Sequence, residues 1–234
     1  MIEAITFDFW NTLFKIPEDT RASSRRISKF CAAMFKRGYE VDEQDVRAAF
    51  RDCTKHANFC QMNYGRDITP RGHIDFILER LNLNVDSNTW DQAYHDYTTA
   101  ILEFPPLVND SVKETLPTLA KKYKLAVICN TGITPGSILR QFIKNNGLEE
   151  YFQMLVFSDE VGWAKPNPQI FHHTLKGIRV LNSQAAHIGD DAITDIIGAK
   201  KAGMQAVWLA PRAESAVPEC DYHVRSVREL ITLF

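Results

Sequence analysis

Three observations predict a doubly wound α/β domain with an inserted α-helical module. Short apolar runs rich in β-branched and aromatic residues recur along the chain, amphipathic helical patterns separate the later runs, and the first gap is far too long for one crossover. The runs lie at residues 4–7, 125–129, 154–157, 185–188 and 206–209 and are read as five core strands. Strand alternating with helix implies a parallel sheet with right-handed crossovers.

The first run ends at Asp8. Residues 15–104 then carry four successive amphipathic helices. In the first, Ile27, Phe30, Cys31, Met34 and Phe35 share one face, and Gly38 supplies a C-terminal stop. The second runs from Asp42 through Val46 and Phe50. Thr69-Pro70 opens the third, with Ile74, Ile77, Leu78 and Leu81 facing inward, and Ser87 is expected to cap the fourth, with Trp90, Tyr94, Tyr97 and Ile101. Pro105-Pro106 reads as the return linker, and Pro117 is expected to interrupt the helix that follows. Thr134-Pro135 and Asn167-Pro168 are start signals for the helices between later strands. The division expected is a core of residues 1–14 and 105–234 with a helical module at 15–104.

Composition narrows the function classes. A chain of 234 residues with 45% hydrophobic content, a formal charge of -2 and a pI near 6.4 has no net basic attraction for nucleic acid or an anionic membrane. No apolar run approaches the roughly 20 residues of a membrane span, and the N-terminus enters the first strand without a signal-peptide pattern. A cytoplasmic protein is expected; monomer and homodimer fit equally. The five cysteines, odd in number, lack the paired spacings of a zinc or redox site. His172 and His173 are adjacent and so on different helix faces, and His56, His73 and His95 fall in separate helices, leaving a zinc or Ser-His-Asp reading little support.

In open α/β sheets the ligand crevice lies at the carboxyl ends of the strands. The polar residues there form a set: Asp8-Phe9-Trp10-Asn11-Thr12-Leu13 after the first strand, Cys129-Asn130-Thr131-Gly132 at the second, Lys165-Pro166 beyond the third, and Gly189-Asp190-Asp191 with Asp195 after the fourth. A lone Asp after a strand is ordinarily a turn or helix-cap residue, and a lone loop lysine is ordinarily solvated. Carboxylates at two strand ends plus a lysine are instead what metal-assisted phosphoryl chemistry needs. Magnesium takes hard oxygen ligands and keeps several waters, so Asp8, Asp190 and one backbone carbonyl suffice. One Asp8 oxygen can attack phosphorus while the other holds the metal, and Lys165 with the hydroxyl of Thr12 or Thr131 can neutralise and bind the phosphoryl group.

These residues, in this order and with this insertion, resemble the haloacid dehalogenase superfamily over nearly the whole chain. Asp8 to Leu13 resembles its first motif, Asp-x-Asp-x-Thr; Cys129-Asn130 stands at the second, Lys165-Pro166 at the third, and Gly189-Asp190 with Asp195 at the fourth. The resemblance implies that Asp8 is the nucleophile, the Trp10 carbonyl and Asp190 are magnesium ligands, Asp195 supports the site, and the inserted helices form a cap. Asp191 is either a further supporting group or a solvated neighbour. Asn130 is expected to orient Asp8 or to contact substrate.

Two departures bear on function. Trp10 stands where phosphatases of the superfamily carry a second Asp as general acid and base, a loss worth ~100-fold to ~10,000-fold in rate. Glu18, Asp19 and Asp191 are candidate substitutes on position. Cys129 stands where a Ser or Thr hydroxyl would bind the phosphoryl oxygen, and a thiol is the poorer donor. The leading reading is a magnesium-dependent phosphohydrolase acting on a small phosphorylated metabolite. A 2-haloacid dehalogenase is the alternative, since halide leaves without a proton; no basic residue of the helical module stands out as receptor for substrate carboxylate and halide, and Arg21, Arg25, Arg26 and Arg37 remain open candidates. A catalytically weakened binding or regulatory protein is the third reading.

Overall fold

A computed structural model describes residues 1–17 and 21–234. In chain order the elements are β1 (Ala4–Phe7), β2 (Phe14–Lys15), α1 (Ala22–Lys36), α2 (Glu43–Tyr64), α3 (Pro70–Arg80), α4 (Ser87–Thr99), β3 (Leu107–Val108), α5 (Val112–Ala120), β4 (Lys124–Cys129), α6 (Gly136–Asn145), β5 (Phe152–Phe157), α7 (Ser158–Val161), α8 (Pro168–Ile178), β6 (Ala185–Gly189), α9 (Gly198–Lys201), β7 (Gln205–Leu209), β8 (Tyr222–Val224) and α10 (Leu230–Leu233). A wide helical turn over Ala192–Ile197 runs directly into α9.

All five predicted strands form, and they pair in parallel in the order β5-β4-β1-β6-β7-β8. The strand order reverses at β1, the point at which an open α/β sheet binds its ligand. Because successive strand residues face opposite sides, β4 sends Leu125, Val127 and Cys129 into a cluster with α5, α6 and α10, and Ala126 and Ile128 into one with α8 and α9. Both faces of the sheet are therefore covered, and its strands read as continuous apolar runs. The sixth strand, β8, escaped the sequence because only three residues pair, at the sheet edge, and two of them are the polar-tipped Tyr222 and His223.

The helices α1 to α4 pack on one another around Phe30, Met34, Val46, Cys53, Ile74, Ile77 and Tyr97. The chain leaves and rejoins the sheet through an antiparallel pair, β2 with β3, in which Phe14 lies opposite Val108. Details of the expected pattern change. Phe35, placed on the inner face of α1, is 81% exposed. Asp86 rather than Ser87 caps α4, accepting from the Thr89 amide at 3.0 Å, because a carboxylate in extended backbone is the better acceptor there. Pro117 lies inside α5 without ending it; the hydrogen bond it forgoes would go to the carbonyl of exposed Lys113 in the first turn. Among the described residues no helix is long and apolar enough to cross a membrane.

Candidate active site

The switch in strand order brings two carboxylates together. β1 and β6 are neighbours in register, Phe7 beside Ile188, so Asp8 and Asp190 emerge side by side at their carboxyl ends. The Asp8 amide donates to the Ile188 carbonyl at 2.8 Å, which extends the pairing to the site itself. Asn11, held at φ 57°, turns the chain so that its Nδ2 donates to Asp190 Oδ2 at 3.0 Å. Carboxylate oxygens of Asp8, Asp190 and Asp195 lie within 4.8 Å of one another.

Lys165 enters this cluster from the loop after α7, with 1% of its surface exposed. Its ammonium donates to Asp8 Oδ1 at 2.5 Å and Asp195 Oδ1 at 2.6 Å. Asp195 also accepts from the Asp191 amide at 3.0 Å and meets His187 Nε2 at 3.2 Å. Gly189 permits this approach: a Cβ there would stand 2.2 Å from Asp195 Cγ.

Two buried carboxylates and the half-buried Asp190 clustered about one ammonium leave surplus negative charge. Burial pushes the Asp8 carboxyl up to about 8; Lys165 opposes the rise, while Asp195 and Asp190 add to it. Burial, then Asp195, raises Asp190 to about 6. For Asp195, burial acts upward, but Lys165 and the hydrogen bond from His187 hold it below the usual carboxylate range. Burial works against the charged form of Lys165 as well, yet Asp195 and Asp8 hold its ammonium well above the ordinary lysine value. A further cation joining the cluster would offset the rise at Asp8 and Asp190 by favouring the ionised carboxylates. Crowded hard-oxygen donors with excess negative charge suit magnesium. The Trp10 carbonyl, which accepts no hydrogen bond among the described residues, is free to serve as a ligand.

The remaining predicted residues divide. The Thr12 hydroxyl is fully buried and lacks a partner among the described residues, so its donor remains to be used. Cys129 is enclosed in the apolar cluster; its thiol donates to the Asn130 carbonyl at 3.4 Å, and burial raises it well above its ordinary value, so it is not a poised nucleophile. Asn130 corrects an expectation. Its side chain turns to the Lys165 loop rather than to Asp8: Nδ2 donates to the Lys165 carbonyl at 2.8 Å and Oδ1 accepts from the Lys165 amide at 2.8 Å, and the residue also lines the cavity between the helices and the sheet. The residue holds the lysine loop. Thr131 likewise spends its hydroxyl, on Asp67 at 3.1 Å and Ser158 at 3.1 Å. Asp191 is exposed and caps the turn that follows, accepting from the Ile193 and Thr194 amides at 2.9 and 2.7 Å, so its carboxylate is neither a site ligand nor a substitute acid. Glu18 and Asp19 lie outside the described residues.

Three positioning residues were missed. His187 lies on β6 with Nδ1 2.8 Å from the Thr6 hydroxyl and Nε2 against Asp195; burial holds it neutral, below the usual imidazole range. A polar residue inside an otherwise apolar buried run was the available signal. Trp208 Nε1 donates to the Asp190 carbonyl at 2.8 Å. Asp67, between α2 and α3, accepts from Thr131, from the Gly132 amide at 3.3 Å and, more closely, from Ser158. Nothing in the sequence around Asp67 marks it.

The helices and the sheet enclose a cavity of about 380 Å³, walled mainly by apolar groups, that meets the sheet at Trp10, Asn130 and Thr131. Asp8 is not one of its lining residues. Of the four arginines considered, Arg25 pairs with Glu103 and Arg37 with Asp86 at the surface, Arg21 is exposed, and Arg26 is buried and lines the cavity.

Residues 5–209 match the family model described as haloacid dehalogenase-like hydrolase. The glyceraldehyde 3-phosphate phosphatase of Methanopyrus kandleri is 29% identical over 99% of this chain and 96% of its own length. Among solved structures, a 2-haloacid dehalogenase from Pseudomonas syringae superposes with a TM-score of 0.71 at 23% identity, covering 100% of this chain and 98% of that one. A HAD phosphatase from Thermococcus onnurineus does so with a TM-score of 0.69 at 24% identity, covering 99% and 97%. Both structural likenesses concern the fold.

Proposed function

The chain belongs to the haloacid dehalogenase-like hydrolases, and from that premise we propose that it is a magnesium-dependent phosphohydrolase acting on a small phosphorylated metabolite, with residues 15–104 serving as the cap over a core of 1–14 and 105–234. The observation that carries this reading is the surplus of carboxylate at the crevice: Asp190 adds a second metal-ligating group beside Asp8, with Lys165 already matched to Asp8 and Asp195. Displacement of halide needs no metal, and an acidic residue at Asp190 has no evident use in it. The phosphatase relative of Methanopyrus kandleri, similar over nearly the whole chain, supports the same choice.

In this proposal Asp8, the Trp10 carbonyl and Asp190 hold magnesium, which supplies positive charge to the transferring phosphoryl oxygens. The second Asp8 oxygen attacks phosphorus, the ester P–O bond breaks, and an aspartyl phosphate forms on Asp8. Water then attacks that phosphorus, releasing inorganic phosphate and the Asp8 carboxylate. Lys165 holds Asp8 in place, as its 2.5 Å contact indicates, and balances phosphoryl charge together with the partnerless Thr12 hydroxyl. Asp195, His187 and Asn130 fix Lys165 and its loop.

Trp10 cannot donate a proton to the departing oxygen. Turnover is therefore expected to fall steeply as the leaving alcohol becomes more basic, with aryl phosphates ahead of alkyl phosphates by ~100-fold or more. Trp10→Asp should flatten that dependence. A shallow dependence in the wild type would show that another acid does the work. Asp8→Asn should abolish turnover of every ester, and retained activity would refute Asp8 as nucleophile.

The 2-haloacid dehalogenase reading retains one favourable observation, since Trp10 removes an acid that halide never needs. It predicts halide release that ignores chelators.

A further inference from the structure

Arg26 is an unusual group for a helix face. It belongs to α1, only 5% of its surface is exposed, and no carboxylate among the described residues pairs with it. Its neighbours on the chain, Arg25 and Lys29, both reach Glu103 instead. The Arg26 guanidinium is held by neutral oxygens alone: Nε donates to the Tyr97 carbonyl at 2.9 Å and Nη2 reaches the Thr134 hydroxyl at 3.5 Å. Nη1 has no partner among the described residues, and Arg26 is a lining residue of the cavity. A buried guanidinium without a counter-ion carries a desolvation cost that an arriving anion would relieve.

A second, separate observation marks the same cavity. His73 of α3 is 1% exposed and also lines it. Its Nδ1 lies 2.9 Å from the Tyr97 hydroxyl, while its Nε2 is sealed from solvent with no partner. Tyr97 thus joins the two groups, its carbonyl on Arg26 and its hydroxyl on His73. With the phenol donating to Nδ1, the neutral ring carries its proton on Nε2. Arg26 and His73, from two cap helices, thus border one chamber that Trp10 and Thr131 at the strand ends also line.

We infer that Arg26 is the receptor for a carboxylate at the far end of the substrate, so that the substrate class is a short phosphorylated carboxylic acid rather than a neutral phosphate ester. This rests on the phosphohydrolase reading above. The count of charges favours a carboxylate over a second phosphoryl group: one guanidinium matches a monoanion, and burial holds the His73 imidazole neutral, below its ordinary range. A guanidinium edge with free Nη donors also suits the two oxygens of a carboxylate. The mainly apolar remainder of the wall, including Ile16, Ala57 and Ile101, suits a short hydrocarbon link between the two anionic ends.

The test uses matched pairs that differ only at the far end, with magnesium present. For turnover these are 3-phosphonooxypropionate and propyl phosphate; for binding they are the non-hydrolysable 4-phosphonobutyrate and butylphosphonate, titrated by calorimetry. A charged hydrogen-bonded pair predicts a preference of roughly 10-fold to 100-fold for the carboxylate in kcat/KM and in Kd. Arg26→Gln should remove most of that preference while moving kcat/KM for propyl phosphate by less than about 3-fold, and Arg26→Lys should restore part of it. Equal handling of both members of each pair by the wild type would overturn the proposal, even if the variants fail to fold. So would an equal loss on both in a folded Arg26→Gln. Failure of the underlying reading looks different: 4-phosphonobutyrate would still bind through Arg26, but no phosphate ester, aryl esters included, would be hydrolysed.

Discussion

Lys165 is the residue on which the site balances. Its buried ammonium is shared between Asp8 and Asp195, so removing it strands two carboxylates in a protein interior. Lys165→Met is therefore expected to lower unfolding free energy by about 3–5 kcal/mol in urea titrations of the metal-free protein. Magnesium should recover part of that loss by supplying the missing charge, and a loss below ~1 kcal/mol would mean that the triad is not held by this lysine. Asp8, Lys165, Asp190 and Asp195 were legible in the sequence because chemistry repeats residue types at strand ends. The roles of Asn130 and Asp191 were not. Both sit at the expected place, but the available donors decide their use: Asn130 faces both backbone groups of Lys165, and Asp191 faces the amides of a helical turn.

Among the elements, the junction between α2 and the Lys165 loop ties the inserted helices to the candidate site. Gly65, at φ 60°, approaches so closely that a Cβ would stand 2.5 Å from Asn167 Nδ2, and its carbonyl accepts from the Ala164 amide at 3.0 Å. Two residues on, Asp67 gathers hydrogen bonds from Thr131, Gly132 and Ser158. Asp67→Ala is expected to release this end of α2 and cost ~1–3 kcal/mol locally, read as faster hydrogen exchange at the Gly132 amide by ~10-fold or more. Unchanged exchange there would show that the contact carries no load. Element type was readable from apolar periodicity for β1, β4 and the four cap helices. The Asp67 contact was not, because it joins residues 64 to 91 positions apart in the chain and depends on how two layers meet.

For the whole molecule, the parallel sheet and the inserted helices follow from one arrangement: strand order reverses at β1, and the β2–β3 pair lets the chain leave and return beside that reversal. Asp8 and Asp190 meet there because β1 and β6 are neighbours, a strand order that the alternating pattern left open. The setting of Arg26 was hidden as well. Arg26 reads in the sequence as one of several helical arginines, and only tertiary packing separates it, buried and without a carboxylate, from Arg25 and Arg37 with theirs.

The central claim, a magnesium-dependent phosphohydrolase built on Asp8, is tested most directly by initial rates of phosphate release from p-nitrophenyl phosphate, with magnesium and with chelator. Chloride release from L-2-chloropropionate is followed in parallel on the same protein. Phosphate release that requires magnesium, stops with chelator and is absent in Asp8→Asn, with no chloride released, is the expected result. Chelator-insensitive chloride release without phosphate release would contradict the claim and establish the dehalogenase in its place.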